Sequence, residues 1–298
     1  MDIFTQLKLT KIVLSIVDQV CKLLGIKSLI KPKSKVSVAS RFFQLFENHG
    51  IHKNQIPRFF DHGLTLVDVK DEDSILIKLD EEMLNDACEL FAIRREWLDG
   101  ADKQIYPLHD FYKQPREFEA FICEIKSNDP DSLYAELIVS YDRLQEEDAL
   151  LILEETIGYI GEKPIYRHHI CNGWVFKYWK CRAYLAACIA LSCKNKVWVK
   201  GYEVPIKEIN RLKEGSQFIF SNDNQHNGFS TKTWYPEDMA LLPDVYLNKI
   251  DPEKDNFGVR AALSLWLELY DKGLMHTDYP GENPRSRFEG ALKLTARQ

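Results

Sequence analysis

The stretch from Leu84 to Leu98 constrains this chain most. Apolar residues fall at Leu84, Ala87, Leu90 or Phe91, and Ile93, then at Trp97 and Leu98. Steps of three and four put the first set on one face of a helix, and the gap before Trp97-Leu98 leaves room for a second helical turn. Short helices with one apolar stripe each must bury those stripes against one another, so the stretch belongs to a small all-α unit. Gly100-Ala101-Asp102 ends that unit and Tyr106-Pro107 follows, which places a domain boundary near residue 102.

Upstream, Phe42, Phe43, Leu45 and Phe46 form one face of a helix from about Arg41 to His49, with Gly50 as its stop. A second short helix is predicted within Ile51 to Phe60, with Ile56, Phe59 and Phe60 inward. Pro57 fits only in its first turn.

The pattern L-x-x-A-x-x-L-x-x-I-x-x-x-W-L over Leu84–Leu98 resembles the closing helices of the phage-repressor, or Cro-type (XRE), helix-turn-helix family. Phe91-Ala92-Ile93 stands where that family commonly has a Leu-Gly-Val-like step. Gly50-Ile51-His52 is similar to its Gly-Ile-Ser turn. The resemblance covers residues 39–100. It implies a recognition helix over residues 53–60, with Lys53, Asn54, Gln55 and Arg58 facing duplex DNA; side chains of these types reach base edges and phosphates. Asp68, Asp71, Glu72 and Asp73 follow closely, and carboxylates near phosphates cost free energy. Either they turn away from the duplex, or the unit has kept the fold without the activity.

At 298 residues the chain suits roughly two domains, and 45% hydrophobic with 28% charged residues is an ordinary globular composition. The net charge of −6 is unevenly spread: residues 1–35 hold seven lysines against two aspartates, residues 36–101 seven basic against thirteen acidic side chains. Only the N-terminal arm is cationic, so the chain as a whole lacks a nucleic-acid footprint. Seven cysteines with no C-x-x-C pair suit a reducing, cytoplasmic setting and frame no zinc site. No run of about 18 apolar residues predicts a membrane span. Val13, Val17, Val20 and Leu24 form the seam of an amphipathic helix within residues 3–26, which docks on its own protein or pairs two copies as a homodimer. A basic linker follows at residues 31–35.

Residues 103–298 predict an α/β domain with a mixed, mainly antiparallel sheet. A helix opens at Pro115 and runs through Phe118, Phe121, Ile122 and Ile125; residues 128–131 are a turn. Strands are expected at Leu133–Tyr141, Leu150–Leu153, Ile165–Ile170, Trp174–Trp179 and Val197–Val199, with Gly201 as a turn. The run from Ala183 to Leu191 is apolar nearly all round and so reads as a buried helix. Helices follow at Ile206–Leu212 and Phe257–Tyr270, with a polar loop over residues 221–228 between them and a partly irregular tail from Thr277. The element order is PAS-like by analogy alone. The fold class is α+β: a helix-turn-helix-like domain (36–102) after the arm, then the α/β domain.

Adjacent strand residues His168 and His169 face opposite ways, and His169 with Cys171 supplies two ligands only, so no metal site is expected. No phosphate-binding glycine loop, G-x-S-x-G or H-E-x-x-H occurs, and no cofactor is expected. Arg167, Trp174, Phe176, Tyr178 and Arg182 either line a ligand pocket or pack the core. These readings predict a DNA-binding transcription regulator with a C-terminal ligand-sensing or partner-binding domain. The alternatives are a protein-interaction scaffold that uses the helix-turn-helix fold without DNA, or an enzyme of unrecognised type in residues 103–298.

Overall fold

Helix α1, Val38–Asn48, buries Phe42, Phe43, Leu45 and Phe46. It stops where Gly50 takes φ +77°, with Ile51 N–H on the Phe46 carbonyl at 2.9 Å and Gly50 N–H on Glu47 at 3.0 Å. This left-handed stop satisfies the last carbonyls and favours glycine. A 3₁₀ turn at Lys53–Gln55 then runs into α2, Ile56–Phe59, so Pro57 lies in a first turn, where its missing N–H costs nothing. Asp71 caps α3, Glu72–Leu76, and Asp80 caps α4, Glu81–Leu90, each carboxylate accepting a backbone N–H. Helix α5, Arg95–Leu98, follows a joint in which Ala92 takes φ +50°. The rings of Phe42, Phe46 and Phe91 pack in series at 4.9 and 5.0 Å, and Trp97 is buried beneath the Arg41 guanidinium.

The computed structural model describes residues 36–126, 132–142, 148–219, 232–250, 258–279 and 283–295. The chain divides into two compact units, Met1–Ser37 and Val38–Gln298. The expected N-terminal helix with its dimer seam, the linker, the turn at 128–131 and the loop at 221–228 lie outside the described residues.

Within the second unit, six strands form one mixed sheet: β1 Leu108–His109, β2 Leu133–Ser140, β3 Ala149–Ile160, β4 Lys163–Trp174, β5 Trp198–Val204 and β6 Lys232–Trp234. Their order is β1-β4-β3-β2-β5-β6. The β2/β3, β3/β4 and β5/β6 ladders are antiparallel; β1/β4 and β2/β5 are parallel. The remaining helices are α6 Pro115–Ile125, α7 Trp179–Lys194, α8 Ile206–Leu212, α9 Asp238–Leu241, α10 Pro243–Leu247, α11 Val259–Asp271 and α12 Pro284–Thr295.

Two cores sandwich the sheet. On one face Leu137, Leu151 and Cys171 pack with Phe118 of α6, Leu185 of α7, Trp266 of α11 and Phe288 of α12. On the other, Ile138, Leu150, Ile152, Ile165 and Ile170 share one apolar cluster with Phe42, Phe46, Phe91 and Ile209. The helical layer therefore buries its stripe against the sheet, and the boundary expected near residue 102 falls inside one compact unit.

Three local expectations are corrected. Strand β4 ends at Trp174 and Trp179 opens α7, so the aromatic alternation of residues 174–179 belongs to a turn, not a strand. Gly201 lies within β5: a Cβ there would sit 2.5 Å from Nε1 of Trp234, so glycine serves a close approach and not a turn. The tail from Pro284 to Thr295 is helical, with Phe288 buried and its ring stacked on Trp266.

Candidate functional site

The residues expected to read DNA are all at least partly accessible, but two have structural partners. The Lys53 ammonium lies 4.3 Å from the Phe43 ring centroid, and Gln55 Oε1 accepts the His52 backbone N–H at 2.8 Å. Asn54 and Arg58 are exposed. The Asp71 carboxyl is held below the usual carboxylate range, first by hydrogen bonds from Ser74, with Lys70 and Lys53 adding to it. The acidic loop thus lies beside the candidate surface. A further element crowds the same helix: the Phe59 ring packs over Gly158, and Lys163 Nζ donates to the Gly50 carbonyl at 3.0 Å.

The five residues expected to line a ligand pocket are not gathered in one. Arg167 pairs with Glu155 through Nε to Oε2 at 2.6 Å and Nη2 to Oε1 at 2.8 Å. Trp174 and Arg182 are fully buried, while Tyr178 is exposed. Arg182 stacks on the Phe176 ring and donates to the carbonyls of Phe176, Tyr246 and Asn248 at 2.9, 2.8 and 3.0 Å. Desolvation pulls its pKa down to about 9. Two of the five border cavities, and not the same one: Phe176 lines a space of about 230 Å³, and Arg167 lines a separate open cleft with Phe59, His62 and Glu89. The others serve packing and chain linkage.

His168 and His169 do face opposite ways: His168 Nε2 meets Glu154 at 3.3 Å on the helical-layer face, and His169 Nε2 meets Glu155 at 3.2 Å on the other. Among the described residues no group of three or more His, Cys, Asp or Glu side chains is placed to hold a metal ion.

The cavity with the richest chemistry lies elsewhere, at the end of the sheet where β2 and β5 begin and β6 finishes. It measures about 480 Å³. Cross-strand register puts Tyr134 and Glu136 of β2, Glu154 of β3, Tyr166 of β4, and Trp198 and Lys200 of β5 on one sheet face. Trp234, Tyr235 and Glu237 close the far side. Tyr134, Trp198 and Tyr235 stay 46%, 66% and 70% exposed, a cost in apolar surface that the rest of this face avoids under the helical layer. A second cavity, about 430 Å³, shares Tyr134 and Trp198.

Three carboxyl groups meet one lysine in the larger cavity. Burial and then the neighbouring Glu154 push the Glu136 carboxyl up to about 7, while Lys200 opposes the shift. Glu237 is buried; its Oε1 accepts from the Tyr279 hydroxyl at 3.4 Å, and its Oε2 has no hydrogen-bond partner among the described residues. Perturbed carboxyls in a cleft mark a candidate functional site. The arrangement can hold a small molecule by aromatic contact and charge-assisted hydrogen bonds.

Sequence reasoning missed this site. Its signal is in β2, where Tyr134 and Glu136 alternate with apolar neighbours before the strand becomes apolar on both faces at Leu137-Ile138-Val139. That change of pattern marks a sheet face covered at one end only. The chain matches no family model, no curated protein and no solved structure.

Proposed function

We propose that this protein is a ligand-responsive regulator, with the sheet-end cavity as its binding site and the helix-turn-helix-like layer as a scaffold for protein contacts. The observation that carries this reading is the cavity itself: exposed aromatic side chains converge with the half-buried Glu136 and Glu154 and the buried Glu237 where the helical layer leaves the sheet bare. Saturation with a ligand at a hundred times its Kd stabilises a folded protein by about 2.7 kcal/mol, so a thermal-shift screen of small molecules reads it directly. Hits are expected to lose their effect in Trp198→Ala. Hits unaffected by that change would overturn the assignment of the site.

The competing reading, a DNA-binding transcription regulator, is supported by the exposure of Asn54 and Arg58 on a short helix. Against it stand the engagement of Lys53 and Gln55 and the carboxylate of Asp71 near Lys53. Mobility shifts at low salt separate the two. On the scaffold reading no duplex binds above bulk competitor. On the DNA reading, Lys53→Ala with Arg58→Ala lowers the slope of log affinity against log salt by about two.

A further inference from the structure

Resting on the ligand-binding reading above, the cavity also specifies the class of ligand. Its aromatic walls offer electron-rich faces, which attract cations and not anions. Its ionisable lining is Glu136, Glu154 and Glu237 against Lys200, with the phenols of Tyr134, Tyr166 and Tyr235. Lys200 is engaged locally: its ammonium lies 5.2 Å from the Tyr202 ring centroid, and its pKa is raised by the Tyr202 hydrogen bond. It keeps its charge but stands opposite Glu136 in the β2/β5 register and is outnumbered by the carboxyl groups, so the lining offers no net positive site for a phosphate or carboxylate ligand. The independent pointer is Glu237, a residue 8% exposed whose Oε2 lacks a partner among the described residues. Burial raises the Glu237 carboxyl above its ordinary range, and a cationic head brought beside it favours the charged form.

We propose that the cavity binds a small organic cation, an amine or guanidinium whose charged head pairs with Glu237 and lies against Trp198 and Tyr235, with Glu154 as a further counter-charge and Glu136 beside it as an acceptor. At about 480 Å³ the space suits a molecule of metabolite size. A single-stranded nucleic acid also stacks on exposed aromatics, but its phosphates would meet three carboxyl groups and one engaged lysine. Cation–aromatic contact and charge-assisted hydrogen bonding act together here, so both are needed for full affinity.

The test is calorimetric titration of the full chain with agmatine, spermidine and choline, and with acetate, adenosine monophosphate and indole as the anionic and neutral counterparts. At least one cation is expected to bind with submillimolar Kd and to quench tryptophan fluorescence, with acetate and the nucleotide silent. Glu237→Gln, nearly the same shape, is expected to weaken that binding at least tenfold; Trp198→Ala, at an exposed position, is expected to do the same without changing the melting temperature. If the cations fail while the nucleotide or indole binds, the cation assignment is wrong and the ligand-binding reading stands. If no compound of any class binds, both fall. Cation binding that survives both substitutions overturns this location.

Discussion

One face of the sheet is built in two ways. Under the helical layer, Ile152 and Ile170 pair across β3 and β4 and are sealed by Phe46 and Phe91, and His49 lies with its ring 4.2 Å from that of Phe91. On the same face of the adjoining strands β2 and β5, Tyr134, Glu136 and Trp198 face a cavity. Both ends hold an ionisable group that burial drives toward its neutral form. At the covered end His49 is held down to about 3, by desolvation first, with His168 adding to it and the Leu45 hydrogen bond opposing. At the open end the Glu136 carboxyl is pushed up to about 7. The covered end thus sheds a proton on folding and the open end keeps one, which makes pH a probe that separates them.

The largest effect is expected at the covered end. His49 Nδ1 lies 2.7 Å from the Leu45 carbonyl and donates to it, which leaves Nε2 buried without a partner among the described residues. Protonation must then bring charge into an apolar layer. Because the folded pKa lies below the unfolded one, stability is complete above pH 6.5 and falls with acid down to about 3, by roughly 4–5 kcal/mol in all. Denaturant titrations at several pH values should show this slope, and His49→Leu should flatten it. An unchanged slope in the variant would break the comparison at this end.

A pair of tryptophans gives the next contrast. Trp97 is 5% exposed in the helical layer, and Trp97→Ala should cost about 3–5 kcal/mol. Trp198, in the cavity wall, should cost within about 0.5 kcal/mol when changed to Ala. Equal losses in equilibrium unfolding would mean that the open end is packed like the covered one.

The smallest effect belongs to Glu136, whose folded pKa lies above its unfolded value. Between 4.5 and about 7 the folded state holds the proton more tightly, so stability falls as pH rises through that window, by up to about 3 kcal/mol. From 4.5 to 6.5 this opposes the gain from His49, and the two partly cancel. Glu136→Gln should remove the opposition and steepen the rise of stability with pH. If the profile instead stays superimposable on that of the unchanged protein, Glu136 does not hold its proton in the folded state as described.

Helical periodicity made α1, α4, α6, α7 and α11 legible, since their stripes or all-apolar faces report burial directly. The joint before α5 was visible at Phe91-Ala92-Ile93, although Ala92 takes there the positive φ that glycine tolerates best. What the helices bury against was not legible. Leu84 and Trp97 imply a core but do not name its other side, and the strand face that completes it begins beyond residue 102. Aromatic residues misled in one place, because Trp174 and Phe176 look the same whether they line a pocket or fill a core. The true cavity needs Tyr134, Trp198 and Glu237 at once, and only strand order brings them together.

Arg182 has a consequence for the order in which this chain acquires its structure. Its guanidinium is fully buried, and two of its three carbonyl partners, Tyr246 and Asn248, lie 64 and 66 residues later in the chain. A nascent chain that ends before residue 246 carries a charge that must stay wet, since removing the partners of a buried ion costs about 3–5 kcal/mol. Helix α7 therefore cannot settle into its final place on the sheet until the segment that carries Tyr246 and Asn248 has been made. The long-range closure that admits it is expected to set the pace of the last folding step.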